Sequence, residues 1–533
     1  MSRHRKSQRG GQTTAAPRPI PPEILGAPAA QARLDAALCA AVEADGHVGA
    51  GLASTLPARL PAGVDTALFL DGFCHPREVV SGLALLVNGR AHDVATHGMP
   101  LPGAIDPGCY WWTIVRIGAR EIDGDEVRFA LRAEAPGGSA VELALGSVPT
   151  TSAPAGPLPA ALVPPPDRTA DGLVAICMAT YNPVPEHFSR QVESIRAQTH
   201  RDWVCLISDD GSSADRYERM VEIVGDDPRF AVARAEERLG FYGNFERALA
   251  MAPPQAAFAT FADQDDYWFP DKIEVLLEAM EPGVQLAYSD MRIVLESGEV
   301  ISETYWTHRR NNYTNLGSLL LANTVTGAAS IFRRELLDLA LPFPPRHGEM
   351  YHDHWIALVA LARGRIAYVR RPLYDYVQHG DAVLGYANAN ASALRRVRRS
   401  RLARARDRFW RIRFHGHHLG WRGYYFRILA RAMVLAHILE QRCGKEMSRR
   451  KRRTVGALLA ADRPLPFRTV GWLLARLVRA ELGARETFGM ERIVLRAVVW
   501  RRFASLRRLQ QRGSGCRHGT ATPALGSLEL PED

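Results

Sequence analysis

The stretch FATFADQDDYWFP, residues 258–270, begins apolar and β-prone and ends with Asp263, Asp265 and Asp266 inside four residues. A hydrophobic strand that ends in crowded carboxylates is either a solvated turn or a place where something positive sits. The neighbouring sequence repeats the pattern. LVAICMATYN (173–182) is an apolar run that closes on Thr180, Tyr181 and Asn182, and DWVCLISDDGS (202–212) is another that closes on Asp209, Asp210, Gly211 and Ser212. Between them lie helical patterns: PEHFSRQVESIRAQ, with Phe188, Val192 and Ile195 on one face, then DRYERMVEIVGD, and after the third strand PDKIEVLLEAM. Fully apolar strands alternating with amphipathic helices predict a parallel sheet covered on both faces. Ligands of such sheets bind beyond the carboxyl ends of the strands. Three polar clusters are thereby brought to one rim, and a solvated turn accounts for one cluster more easily than for three.

Asp263 and Asp265, one residue apart, suit a shared hard cation such as Mg²⁺ or Mn²⁺. Such ions take oxygen ligands and are completed by substrate phosphates. Neither a GxxxxGK[ST] loop nor a GxGxxG turn follows the first strand, so phosphates would be met through metal rather than a glycine loop.

ATYN (179–182), SDDGSSAD (208–215), GFYGNFERAL (240–249) and DQDDYWFPDKI (263–273), in that order, resemble the family 2 glycosyltransferases of GT-A fold. MYHDHW (350–355) and YVQHGDAVLG (376–385) are similar to the bacterial rhamnosyltransferase-like branch, which builds surface polysaccharides. The resemblance covers about residues 172–385 and implies a Rossmann-like, mostly parallel α/β catalytic domain. It implies an inverting, metal-dependent transfer of a sugar from a dTDP- or UDP-sugar to a glycan or lipid-linked glycan. Residue by residue, it implies that Thr180 and Tyr181 line the nucleotide pocket and that Asp210 accepts a hydrogen bond from the base. Asp265 is the metal aspartate with Asp263 as its partner, Asp353 the general base, and His379 a contact to the diphosphate. His352 and Arg238 depart from the family pattern and receive no role. Trp268 is read as a packing wedge, and His308, His347 and His354 as surface or packing residues. On residues alone, Tyr181 also reads as rim packing, Asp210 as a turn former, Asp353 as a helix N-cap and His379 as structural.

The chain has 533 residues, 47% of them hydrophobic and 23% charged, which suits several packed domains. The N-terminal segment 1–30 is basic, rich in Pro and Gly and expected to be disordered. Residues 31–55 are Ala-rich and read as helical. Short alternating runs between 64 and 148 (DTALFLDGF, WWTIVRIG, EVRFALRA, AVELALG) predict a small β-rich domain over 31–148. A Pro-rich linker follows at 149–169, then the catalytic domain at 170–388.

The formal net charge of +10 is unevenly spread. Residues 391–515 carry 32 Lys/Arg against 7 Asp/Glu, whereas residues 1–390 carry 34 against 47. The region 389–515 reads as basic amphipathic helices, including a stripe of Val470, Leu473, Leu474, Leu477 and Val478, and another of Leu495, Val499, Phe503 and Leu506. Such helices suit an anionic membrane surface or a bundle packed on the catalytic domain; no nucleic-acid module is visible, which disfavours nucleic acid. The tail 516–533 reads as disordered. Seven scattered cysteines without a CxxC pair, no secretory h-region and no run of apolar residues long enough to span a bilayer predict a cytoplasmic protein, peripheral on the inner face of the membrane. A sugar nucleotidyltransferase and a nucleic-acid-binding protein are the alternative readings.

Overall fold

A computed structural model describes residues 49–75, 82–94, 96–99, 109–122, 124–134, 140–151, 172–306, 311–378, 420–463, 465–481 and 489–513. The expectations for 1–30, for most of the Ala-rich helix, for the linker beyond 151, for His308 and His379, and for 389–419 and 516–533 lie outside these residues. Where the Ala-rich prediction reaches described chain it fails, because Gly49–Leu52 (β1) is a strand paired antiparallel with Thr66–His75.

The N-terminal unit is built from two sheets. One has the order β1-β3-β7-β6, using Thr66–His75 (β3), Thr96–Met99 (β6) and Cys109–Ile117 (β7). The other has the order β2-β9-β8-β4-β5, using Leu60–Pro61 (β2), Gly82–Val87 (β4), Arg90–Asp93 (β5), Glu126–Glu134 (β8) and Ala140–Thr151 (β9). The alternation in β8 is the reason. Val127, Phe129, Leu131 and Ala133 point inward to a core shared with Leu68, Leu70, Trp111 and Val115, while the residues between them face outward.

In the catalytic unit Val174–Thr180 (β10) lies between Trp203–Asp209 (β11) and Phe258–Ala262 (β13), parallel to both, and Phe230–Arg234 (β12) adds a fourth parallel strand beyond β11. Every residue of β11 is buried, as a strand covered on both faces requires. The covering helices are Pro185–Arg196 (α1), Ala214–Val224 (α2), Gly240–Ala250 (α3) and Lys272–Glu278 (α4). Phe188, Val192 and Ile195 of α1 are fully buried, on the face their spacing predicts.

Beyond β13 the sheet turns mixed, which corrects the expectation of a mostly parallel one. Ser330–Arg333 (β17) runs antiparallel to β13 and to Val284–Leu295 (β15); β15 pairs parallel with Arg365–Gln378 (β18), and Tyr267–Trp268 (β14) closes on β18 antiparallel. Val300–Ser302 (β16) hangs on β15. The cause is connectivity. Antiparallel neighbours need no crossover helix, and among the described residues between β15 and β17 the one helix is the short Leu316–Leu321 (α5), while His352–Arg363 (α6) supplies the crossover into β18.

The C-terminal chain packs onto both units. Gly420–Tyr424 runs through a π-helical turn, Tyr425–Leu429, into Ala430–Cys443 (α7), whose Ala432, Met433, Leu435, Ala436 and Leu439 are buried in the catalytic core. Arg442, at its end, donates to the carbonyls of Asp65 (2.9 Å), Ala340 (3.2 Å) and Pro342 (2.6 Å), tying the N-terminal sheets to the catalytic unit. Arg449–Leu459 (α8), Phe467–Glu481 (α9) and Met490–Gly513 (α10) follow. In α10 Glu491, Val494, Ala497, Val498 and Arg501 are buried, whereas Leu495 and Val499 of the predicted stripe are only partly buried; Phe503 and Leu506 lie outside the residues whose side chains are described. Arg501 is buried because its Nε donates to Asp462 Oδ1 at 2.8 Å and its guanidinium lies 5.3 Å from the Trp112 ring. The predicted α9 stripe also splits: Leu473 is buried, whereas Leu474 and Val478 are 49% and 58% exposed. Among the described residues no helix is long and apolar enough to cross a membrane.

Candidate active site

Three strand ends meet where the sequence places them, but their side chains divide between open and closed. Tyr181, at the tip of β10, is 37% exposed, with the Arg238 guanidinium 3.8 Å from its ring centroid. Its N–H donates to Gln264 Oε1 at 2.8 Å, so the first and third clusters are latched together. Thr180 is 1% exposed; its Oγ1 donates to Asp209 Oδ1 at 3.3 Å and its carbonyl accepts from Asp210 N and Asn244 Nδ2. This corrects its expected contact with a ligand: its side chain points into the sheet and braces β10 against β11.

Asp210 is 2% exposed, and its two oxygens accept from the N–H groups of Leu239 (2.6 Å) and Gly240 (2.9 Å), with Arg238 Nε 3.9 Å away. It holds the entry to α3, where Gly240 adopts φ +70°, and in this state its oxygens are taken by the chain. Arg247 of α3 fastens the same rim from below, donating to Ser208 Oγ, Ala233 O and Arg234 O at 3.0, 3.1 and 2.8 Å.

The third cluster is electrostatically frustrated. Asp266 is 1% exposed and neither of its oxygens has a partner that meets hydrogen-bond geometry. Burial, with Asp263 and Asp265 adding to it, raises its pKa well above the usual carboxylate value, against the opposing pull of Lys272 and the Val377 N–H. Asp263 is raised by burial and then by the charges of Asp265 and Asp353. Lys272, fully buried, is pushed well down by burial. Its Nζ donates to Ala328 O at 2.5 Å and sits 3.3 Å from the Trp268 ring centroid. Trp268 is itself 1% exposed and packs beneath the loop.

Asp353 faces this cluster from α6. The helix cap is Tyr351, so Asp353 is the second helical residue and not the N-cap. Its Oδ1 accepts from His354 N (2.5 Å) and Asn323 Nδ2 (3.0 Å), and its Oδ2 from Gly327 N (3.3 Å). Burial raises its pKa to about 7 despite these donors. A carboxyl poised near neutrality and held by three donors has the properties of a general base. His352 and His354 flank it and are held neutral by burial, at about 3 and about 4. His352 stacks on Phe245 (centroids 3.8 Å), and His354 hydrogen-bonds Leu319 O at 2.7 Å, so both are packing residues. His347 likewise meets Phe426 O at 3.0 Å.

Sequence reasoning missed Gln264, Arg247, Lys272, Asn323 and Gly327. Gln264 stands inside the quoted acidic motif and could have been read from it. Asn323 and Gly327 lie in a loop whose only signal is its place before β17.

The donor set offered to a cation is all oxygen, with Asp263, Asp265 and Asp266 crowded at one strand end and both oxygens of Asp266 without a hydrogen-bond partner, which fits a hard divalent ion. No three His, Cys, Asp or Glu converge as a ligand set among the described residues, so most of the coordination would come from water or substrate phosphate.

Residues 175–339 match the sequence profile of glycosyl transferase family 2, and the match is confined to that part of the chain. Among curated proteins, an uncharacterized glycosyltransferase of Nostoc sp. is 24% identical over 215 residues, 39% of this chain and 65% of that protein. The Escherichia coli UDP-Glc:alpha-D-GlcNAc-diphosphoundecaprenol beta-1,3-glucosyltransferase WfgD is 27% identical over 194 residues, 36% of this chain and 70% of that protein. The chain thus spans just under two thirds of the first of these relatives. Among solved structures, S. aureus TarS 1–349 in complex with UDP-GlcNAc aligns with a TM-score of 0.36 at 14% identity, covering 65% of this chain and 93% of that one. The Pyrobaculum calidifontis mannosyltransferase PcManGT in complex with GDP-Man and Mn²⁺ aligns with a TM-score of 0.32 at 16% identity, covering 64% and 88%.

Proposed function

We propose that the chain transfers a hexosyl group, with inversion, from a UDP- or dTDP-sugar to a hydroxyl of a glycan or lipid-linked glycan during surface polysaccharide synthesis. The observation that carries this reading is the carboxyl of Asp353, with a pKa near 7, electrostatically coupled to the acidic cluster that ends β13. The named activity of the E. coli relative supports the nucleotide and the lipid-linked acceptor, and the motifs of residues 350–355 and 376–385 resemble those of the rhamnosyltransferase-like branch.

Tyr181, with Arg238 on its other face, offers the nucleobase an aromatic platform, and Asp210 fixes the loop that carries Arg238. Asp263 and Asp265 would hold Mg²⁺ or Mn²⁺. The ion supplies neutralisation of the charge that develops on the departing diphosphate. Asp353 takes the acceptor hydroxyl proton as that oxygen attacks the anomeric carbon. A single displacement with one base leaves the product inverted. Asn323 and Gly327 aim the base, and Lys272 restrains the repulsion within the acidic cluster. Calorimetric titration with nucleoside diphosphate sugars in the presence of Mn²⁺ tests the proposal. Donor heat is expected from the parent and from Asp353→Asn and is lost in Asp265→Asn; equal heat from all three would overturn it.

A further inference from the structure

An arginine-lined cleft of about 640 Å³ opens between the N-terminal unit and helices α7, α8 and α9. Arg116, Arg449, Arg452, Arg453, Arg463 and Arg468 line it, against a single carboxylate, Glu440, which already lies 3.9 Å from Arg116. Among the described residues the other five arginines form no ion pair, and Nδ1 of His437, also in the wall, is buried without a partner.

Three of these arginines sit in the opening turns of α8, an eleven-residue helix with no acidic residue in its first turn. The N-terminus of a helix carries partial positive charge and disfavours cations, so the clustered guanidiniums raise the energy of the free protein. An anion resting in the cleft reverses both terms.

The cleft is not the donor site. Lys451, between the lining residues Arg449 and Arg452 in sequence but not itself in the cleft wall, donates to Gly364 O (2.7 Å), just past the C-terminal end of α6. Asp353 stands at the other end of that helix, about 16 Å away at the α-helical rise.

An apolar edge adjoins it. Leu465 and Phe467, bracketed in sequence by the lining residues Arg463 and Arg468, are 58% and 73% exposed. Leu474 and Val478 continue from Phe467 at helical spacing on the outer face of α9, at 49% and 58% exposure. Thr469, Leu473 and Arg476 occupy its inner face.

We infer that this surface docks the enzyme on a membrane: the arginine cleft receives phospholipid headgroup phosphates, and Leu465, Phe467, Leu474 and Val478 enter the acyl boundary. Guanidiniums pair with phosphate in forked geometry, and an amphipathic helix that offers exposed apolar residues beside arginines lies in the plane of the interface.

The test is sedimentation of the full chain with vesicles of phosphatidylcholine alone or with about one third phosphatidylglycerol, at low and high salt. The parent is expected to bind only the anionic vesicles. Arg449→Ala/Arg452→Ala/Arg453→Ala should lower partitioning about 100-fold, roughly fivefold per arginine, and should melt no lower than the parent because it relieves the helix terminus. Phe467→Ser/Leu474→Ser should remove the part of binding that survives high salt, and Arg219→Ala, on exposed α2, should change nothing. The inference is overturned if neutral vesicles bind equally, if the triple variant keeps parental partitioning, or if Arg219→Ala costs as much per charge. It is likewise overturned if duplex DNA displaces the vesicles, or if the variants abolish a dimer instead. Vesicle binding does not involve the donor, so this result and the donor titration stand or fall separately.

Discussion

Replacing Asp353 by Asn removes one ionisable proton acceptor and keeps the shape, and its two consequences have opposite signs. Burial lifts the pKa of Asp353 from an ordinary value of 3.8 to about 7. That rise corresponds to ~4 kcal/mol of unfavourable ionisation, an upper bound for a half-buried group. The amide keeps an acceptor for His354 N and Asn323 Nδ2 but loses the 3.3 Å bond from Gly327 N, at about 1 kcal/mol. The net expectation at pH 8 is a variant about 1–2 kcal/mol more stable than the parent, a rise of a few degrees in Tm. Because the folded pKa is raised, the folded state binds more protons than the unfolded chain between about pH 4 and 7, and parental stability falls as pH rises through that window. The advantage of Asp353→Asn therefore shrinks towards zero at pH 5. Its transfer rate should fall by ~10²–10⁴ with donor affinity unchanged. Thermal melts at pH 5 and 8, together with single-turnover transfer, check both effects. A variant that transfers at the parental rate, or that is destabilised equally at both pH values, would make Asp353 a structural residue and refute the assignment.

Two further expectations concern the support of the site. A Cβ at Gly327 would come within 2.8 Å of His352 Nε2 and 3.4 Å of Asp353 Cβ; Gly327→Ala should push the base aside, lowering kcat with little change in donor Kd, and a variant with parental kcat would show that the loop yields freely. Lys272→Met removes the buried amine whose charge opposes those of Asp263 and Asp266 and whose Nζ donates to Ala328 O, so it should cost ~3–5 kcal/mol at pH 8 and less at pH 5, where the carboxyls hold protons; denaturant midpoints at the two pH values read this, and equal midpoints for parent and variant would contradict it.

The parallel half of the catalytic sheet was legible because β10, β11 and β13 are unbroken apolar runs, each closed by polar residues at the one edge where ligands bind. The mixed half was not. β15 and β18 pair over long stretches through register shifts and bulges, and no local pattern announces a partner 80 residues away. Among site residues, spacing singled out Asp263 and Asp265, and the resemblance of MYHDHW singled out Asp353, but neither could tell an open carboxylate from a closed one. Asp210 and Thr180 look alike in sequence to exposed rim residues, yet backbone N–H groups and Asp209 occupy them. The C-terminal arginines misled for a related reason. Periodicity counts every arginine as outward, whereas Arg442 is half-buried against carbonyls and Arg476 and Arg501 are buried against Glu491 and Asp462.

Whether the rim of β10, β11 and β13 is a metal-assisted nucleotide-sugar site can be read from calorimetric titration of the full chain with a panel of nucleoside diphosphate sugars, with and without Mn²⁺. At least one donor should bind, only with the ion present, and Asp265→Asn should abolish binding while the melting temperature stays near the parental value. Binding that ignores both the ion and the Asp265→Asn substitution, or no binding by any donor, would contradict that assignment.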